Sequence, residues 1–145
     1  MIGGLAAAIH GSDLVTGDLD ITPDQGDDNL SRLSAALHQL DARIRSVDSP
    51  GGLPFSHDGR SLGAAAVWNL VTIAGDLDIS FVPSGTQGFA DLRRDAIAIE
   101  ILGAPTNVAS LTDIIRSKEA AGRPKDLAAL PMLRRLLAEI RRRPG

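Results

Sequence analysis

The sequence predicts a domain of the α/β or α+β class, with a mixed sheet of about five strands flanked by helices. Short runs of alternating apolar and polar residues recur along the chain, and leucine stripes at helical spacing lie between them. The two kinds of segment alternate instead of segregating, yet Trp68–Val82 reads as consecutive strands, hence a mixed sheet. The 145 residues suit a single domain spanning 1–145, with 141–145 a basic tail.

The elements follow in order. Gly3-Gly4 opens a short helix through Ile9, and His10-Gly11 ends it. Residues 18–22 alternate and read as a strand that Pro23 closes. Asp27 or Asp28 caps a helix carrying Leu30, Leu33, Leu37 and Leu40 on one stripe. A short strand follows at 42–45. Residues 46–63, rich in Ser, Pro, Gly and Asp, read as a loop. Residues 68–74 and 77–82 read as a hairpin turning at Gly75-Asp76. A short helix is expected at 88–95, and a strand at 96–102 with Ile97, Ile99 and Ile101 on one face. Ser110 caps the next helix and Gly122 stops it. Pro124 begins the last helix, which Pro131 should kink or split.

Composition excludes several functions. The absence of Cys removes disulfide scaffolds, thiolate zinc sites and cysteine nucleophiles, and it fits a reducing cytoplasm. Aromatics are 3%, which argues against reading single-stranded nucleic acid by base stacking. No run approaches the roughly 20 apolar residues of a membrane span. The apolar start, Met1 to Ile9, is short and lacks a charged leader, so no signal peptide is expected. His10 reads as a cap or packing residue, His38 and His57 as surface and loop residues, and Trp68 as core.

Charge is unevenly spread. Residues 1–80 hold 11 Asp, no Glu and 4 Arg, whereas residues 81–145 hold 7 acidic and 11 basic residues. Within the acidic part lie two Asp-x-Asp motifs, Asp18-Leu19-Asp20 and Asp76-Leu77-Asp78. On a strand, residues i and i+2 share a face ~6.6 Å apart. Their carboxylates can therefore converge on one cation, while Leu19 and Ile21 anchor the opposite face. Such acids repel one another unless a cation or raised pKa values relieve them. Mg²⁺, which prefers carboxylate, water and phosphate oxygens, is the expected ion. A calcium-loop reading of Asp18–Asn29 fails, because Pro23 stands where that loop needs glycine. The diglycine Gly3-Gly4, at a helix start, exposes backbone N–H groups suited to phosphate.

Together these residues resemble the nucleotidyltransferase-fold proteins. The stretch GGLAAAIHGSDLVTGDLDI is similar to the opening of a bacterial branch that includes abortive-infection Eii-type toxins, with Gly3, Gly4, Ala6, His10, Gly11, Thr16, Asp18 and Asp20 at the motif positions. GDLDISF resembles the strand bearing a third acid, at Asp78. VASLTDIIRSKEAAGRPKDLAAL resembles the downstream segment, with Lys118, Arg123, Lys125 and Asp126 in place. The similarity covers about residues 1–135. It departs at Leu14, where the branch has Arg, and only Met1-Ile2 precede Gly3, so the N-terminal strand is expected to be shortened.

The resemblance implies Mg²⁺-dependent transfer of a nucleoside monophosphate from an NTP to an acceptor hydroxyl. Asp18, Asp20 and Asp78 would be the catalytic and metal residues, with two Mg²⁺ ions. Asp78 would orient or deprotonate the acceptor. Gly3, Gly4, Thr16, Lys118, Arg123 and Asp126 would bind nucleotide phosphate, Asp126 by holding Arg123 or Lys118. A tRNA acceptor, a toxin role and a partner antitoxin are implied by the resemblance alone. Arg134, Arg135 and Arg141–Arg143 read as a solvated helix face or an RNA-backbone contact. The competing reading is a catalytically inactive nucleotide-binding or protein-interaction relic of the same fold, and a third is a structural subunit without ligand.

Overall fold

The computed structural model describes residues 1–143, so the last two residues of the expected basic tail lie outside it. In chain order the elements are α1 (Gly3–Ile9), β1 (Asp18–Ile21), α2 (Asp27–Gln39), β2 (Arg43–Ser46), β3 (Ser49–Leu53), α3 (Gly59–Gly63), β4 (Val67–Thr72) and β5 (Gly75–Ser80). Then follow α4 (Phe89–Arg93), β6 (Ile97–Ile101), β7 (Ala104–Val108), α5 (Leu111–Ala121) and α6 (Pro124–Arg142). The expected mixed sheet is present: five strands in the order β1-β5-β4-β2-β3, with β6 and β7 forming a separate hairpin. β1 pairs with β5 in parallel, and the other neighbours in the large sheet are antiparallel.

Alternation sorts the sheet into two faces. Leu70, Leu77 and Ile79 are buried with Leu30 and Leu37 of α2 and Leu62 of α3, and Leu19, Ile21 and Trp68 pack against the same cluster. The Leu30, Leu33 and Leu37 stripe is thus the inner face of α2. A second cluster joins Ala6 and Ala7 of α1, Leu111, Ile114 and Ile115 of α5, and Leu130 and Leu133 of α6. The acids of β1 and β5 stand on the sheet face turned away from α2.

Four expectations need correction, and the strand after β6 and the exposure of β6 go beyond them. Gly26, not Asp27 or Asp28, occupies the N-cap of α2; both acids lie in its first turn, where the helix dipole favours them. The 46–63 segment is not a plain loop. It forms β3, paired with β2, and α3, which the reciprocal Asp58–Ser61 capping box starts. The β4–β5 hairpin turns at Ile73-Ala74, because Thr72 already pairs with Gly75. A strand, β7, follows β6 across a tight turn at Leu102-Gly103, although Pro105 argues against a strand there. β6 is the one strand that β7 pairs with among the described residues, which makes β7 an edge strand, where Pro is tolerated. Ile97 of β6 is 40% exposed, since a two-stranded ribbon covers only part of its own apolar face. Finally, α6 runs through Pro131 as one helix. Pro131 sits on its exposed side, where water can reach the carbonyl left without a partner.

Leu102 lies at φ 50°, a left-handed conformation that a large side chain adopts at a cost, and it is fully exposed. An Asn-Gly pair fits such a hairpin turn better. Leu102→Asn should therefore stabilise the protein by about 0.5–1 kcal/mol, seen as a rise of a few degrees in Tm. An unchanged or lower Tm would show that Leu102 is held by contacts of its own.

Candidate active site

Parallel pairing places Asp18 opposite Asp76 and Asp20 opposite Asp78, so both Asp-x-Asp motifs share one sheet face in register. Asp18, Asp20 and Asp78 line a cleft of about 520 Å³. Its other walls carry Gly3, Gly4, Thr16, Lys118, Arg123 and Asp126, so every residue expected in the site borders the same space. Asp76 is outside this lining.

The diglycine has a steric role. Gly3 adopts φ +78°, and a Cβ there would come 2.1 Å from Asp20 Oδ2. Only glycine permits this approach of α1 to β1. Ile2 is tied alongside by its amide, which donates to the Asp20 carbonyl at 3.0 Å. Thr16 Oγ1 accepts from the Asp18 amide at 3.3 Å and so steadies the loop that leads into β1. Leu14 also lines the cleft, so an apolar side chain faces it at the position where the resemblance departs from Arg. His10 is structural, its Nε2 lying 2.8 Å from the Ala109 carbonyl.

The cationic wall depends on a buried carboxylate. Asp126 is fully buried near the start of α6. Lys118 Nζ donates to its Oδ1 at 3.1 Å, and Arg123 Nε donates to its Oδ2 at 2.6 Å. Gly122 caps α5 in the left-handed conformation, φ 64°, which lets the chain reverse so that residues 118, 123 and 126 meet. Burial pushes Asp126 up, but the hydrogen bonds from Arg123 and Lys118 outweigh it and hold its carboxyl below the usual range. Asp126 thus bonds both of the cations, Arg123 and Lys118, between which the resemblance left its partner open.

Opposite this wall the acids lack such partners. The side chains of Asp18 and Asp20 enter no hydrogen bond or ion pair among the described residues. Burial, then the charges of Asp78 and Asp18, push Asp20 up to about 6, against the pull of Lys118 and Lys125. Asp78 is also raised, by burial first, with Arg45 opposing. Arg45 Nη1 lies 3.0 Å from Asp78 Oδ1, and its Nε lies 3.4 Å from Asp76 Oδ2. Among the described residues neither Asp78 Oδ1 nor Arg45 Nε has a hydrogen-bond partner, so these contacts are ion pairs without hydrogen-bond alignment.

Unpartnered carboxylate oxygens with excess negative charge fit a hard cation such as Mg²⁺ in donor chemistry. Among the described residues, no three His, Cys, Asp or Glu side chains form a ready-made ligand set. Asp18 and Asp20 are the acids of this cleft without a partner among the described residues, and so the pair that could hold an ion. Sequence reading missed Arg45, whose strand lies two places from β5 in the sheet and carries no motif, and Asn69, which faces Asp78 across the β4–β5 pair and lines the cleft.

Two stability outcomes follow. Asp126→Ala should cost about 3 kcal/mol, because it leaves Lys118 and Arg123 without their buried partner. Lys118→Met, which keeps the Arg123–Asp126 pair, should cost less than half as much in the same urea titration. Asp20→Asn, measured in chelator, should stabilise the fold at pH 7 by about 1–2 kcal/mol, partial exposure screening the full value. Below about pH 4 both folded and unfolded chains hold the Asp20 proton and the advantage vanishes. Between pH 4 and 6 the unfolded chain releases it first, so the gap opens over that window. An equal gap at pH 4 and pH 7 would contradict this origin.

The chain matches no protein-family model and has no significant match to a curated protein sequence, so its functional reading rests on the residues and their geometry.

Proposed function

We propose that the protein is a Mg²⁺-dependent nucleotidyltransferase that moves a nucleoside monophosphate from an NTP to an acceptor hydroxyl, releasing pyrophosphate and a proton. The observation that carries this reading is the pairing of β1 with β5. It puts Asp18, Asp20 and Asp78 on one wall of a cleft whose other wall holds Lys118 and Arg123.

Asp18 and Asp20 would hold Mg²⁺, which would supply neutralisation of phosphate charge and ease loss of the acceptor proton. Lys118 and Arg123 face the triphosphate and balance its negative charge, Arg123 through a planar fork suited to phosphate oxygens. Asp126 keeps both cations at the wall of the cleft. Asp78, its pKa raised by burial, accepts the proton of the acceptor hydroxyl. Gly3 keeps α1 close against Asp20, which limits the positions open to that carboxylate.

A second reading, an inactive nucleotide-binding relic, is favoured by the ion pair that engages Asp78 with Arg45. Turnover separates the two. Incubation with labelled NTPs, Mg²⁺ and total RNA should transfer label to the acceptor, and Asp18→Asn or Asp20→Asn should lower the rate at least about 100-fold while the fold persists. Wild-type rates in both variants would remove the metal assignment. NTP binding with no transfer to any acceptor would establish the relic. Lys118→Ala should weaken NTP binding, and an unchanged Kd would remove its phosphate role.

A further inference from the structure

Four carboxylates stand in register on β1 and β5, yet they are not treated alike. Among the described residues, Asp18 and Asp20 have no cation paired with them, whereas Asp76 and Asp78 share Arg45. Arg45 does not depend on those acids for its place. It sits on β2, and its Nη2 donates to the Leu70 carbonyl of β4 at 2.9 Å. Because β4 lies between β2 and β5, this bond fixes the guanidinium part-way across the sheet, with its charge over the β5 acids. The ion pairs are partly exposed: the side chains of Arg45, Asp76 and Asp78 are 33%, 40% and 24% accessible. Pairs of that exposure contribute little stability. Their main effect is electrostatic, since a fixed positive charge at 3.0 and 3.4 Å from two carboxylates repels any further cation.

Given the metal-dependent reading of the cleft, on which this rests, we propose that Arg45 is the resident counter-ion of the β5 acids and limits the site to one divalent cation, held at Asp18 and Asp20. Arg45 thus takes the place that a second metal ion would hold beside Asp78. It is a positioning residue, acting on the nucleotide site through Asp78 and Asp76. The two-ion arrangement implied by the resemblance becomes one ion plus a guanidinium.

Binding of Mn²⁺ alone tests this without any activity assay, by paramagnetic resonance of the free ion during titration. The wild type should bind one Mn²⁺ per chain, and Arg45→Lys, which keeps the charge, should do the same. Arg45→Met should bind a second Mn²⁺, with at least about tenfold tighter occupancy of that second site than in the wild type. Should Arg45→Met fail to fold, Arg45→Gln carries the same expectation and retains a donor for the Leu70 carbonyl. Two tight ions in the wild type, or one ion in both Arg45→Lys and the uncharged variant, would overturn the role of Arg45. Absence of Mn²⁺ binding in the wild type, or wild-type binding in Asp20→Asn, would instead overturn the metal reading itself.

Discussion

The parallel pairing of β1 with β5 is the constraint on which the rest of the site depends. These strands are separated by more than 50 residues, and their register sets Asp18 beside Asp76 and Asp20 beside Asp78. A slip of one residue would turn Leu77 and Ile79 out of the core and the acids into it, so hydrophobic burial enforces the register that the chemistry needs. The apolar half of each strand packs on α2 and α3. The carboxylates are thereby held on rigid backbone and not on a loop.

The two sides of the cleft use charge in opposite ways. On the helical side, buried Asp126 is paired with Lys118 and Arg123, and its charge is satisfied within the fold. On the sheet side, Asp18 and Asp20 carry unpaired charge, and Asp20 is raised to about 6 by burial and by its neighbours. A fold gains nothing from that arrangement alone. Perturbed carboxylates in a cleft that faces a cationic wall mark a candidate functional site. Arg45 lies between these regimes, a fixed cation beside two of the four acids.

Much of the site was legible in the sequence because its parts are local. An Asp-x-Asp between apolar residues reads as two acids on one strand face. A diglycine ahead of Leu5-Ala6-Ala7-Ala8 reads as a helix start, and Ser110 and Gly122 mark the ends of α5. The less regular elements were harder to read. α3 is a single helical turn that depends on a capping box, and β3 pairs through a bulged register in a segment containing Pro50 and two glycines. Their composition is that of a loop, and tertiary pairing overrides it. Pro131 does not split α6, because it falls on the side of the helix that meets water.

By itself, the sequence determined the class of the fold, the faces of β1 and β5 that carry acids, and the diglycine at a helix start. These rest on spacing within a few residues, where backbone geometry leaves one arrangement, whereas Lys118, Arg123 and Asp126 were singled out by the resemblance. Only the tertiary structure decided that these parts meet in one cleft, that Gly3 is required by contact with Asp20, and that Arg45 reaches Asp76 and Asp78 across an intervening strand. Such contacts join residues far apart in the chain. Their partners are selected by core packing and strand order, which no local pattern encodes.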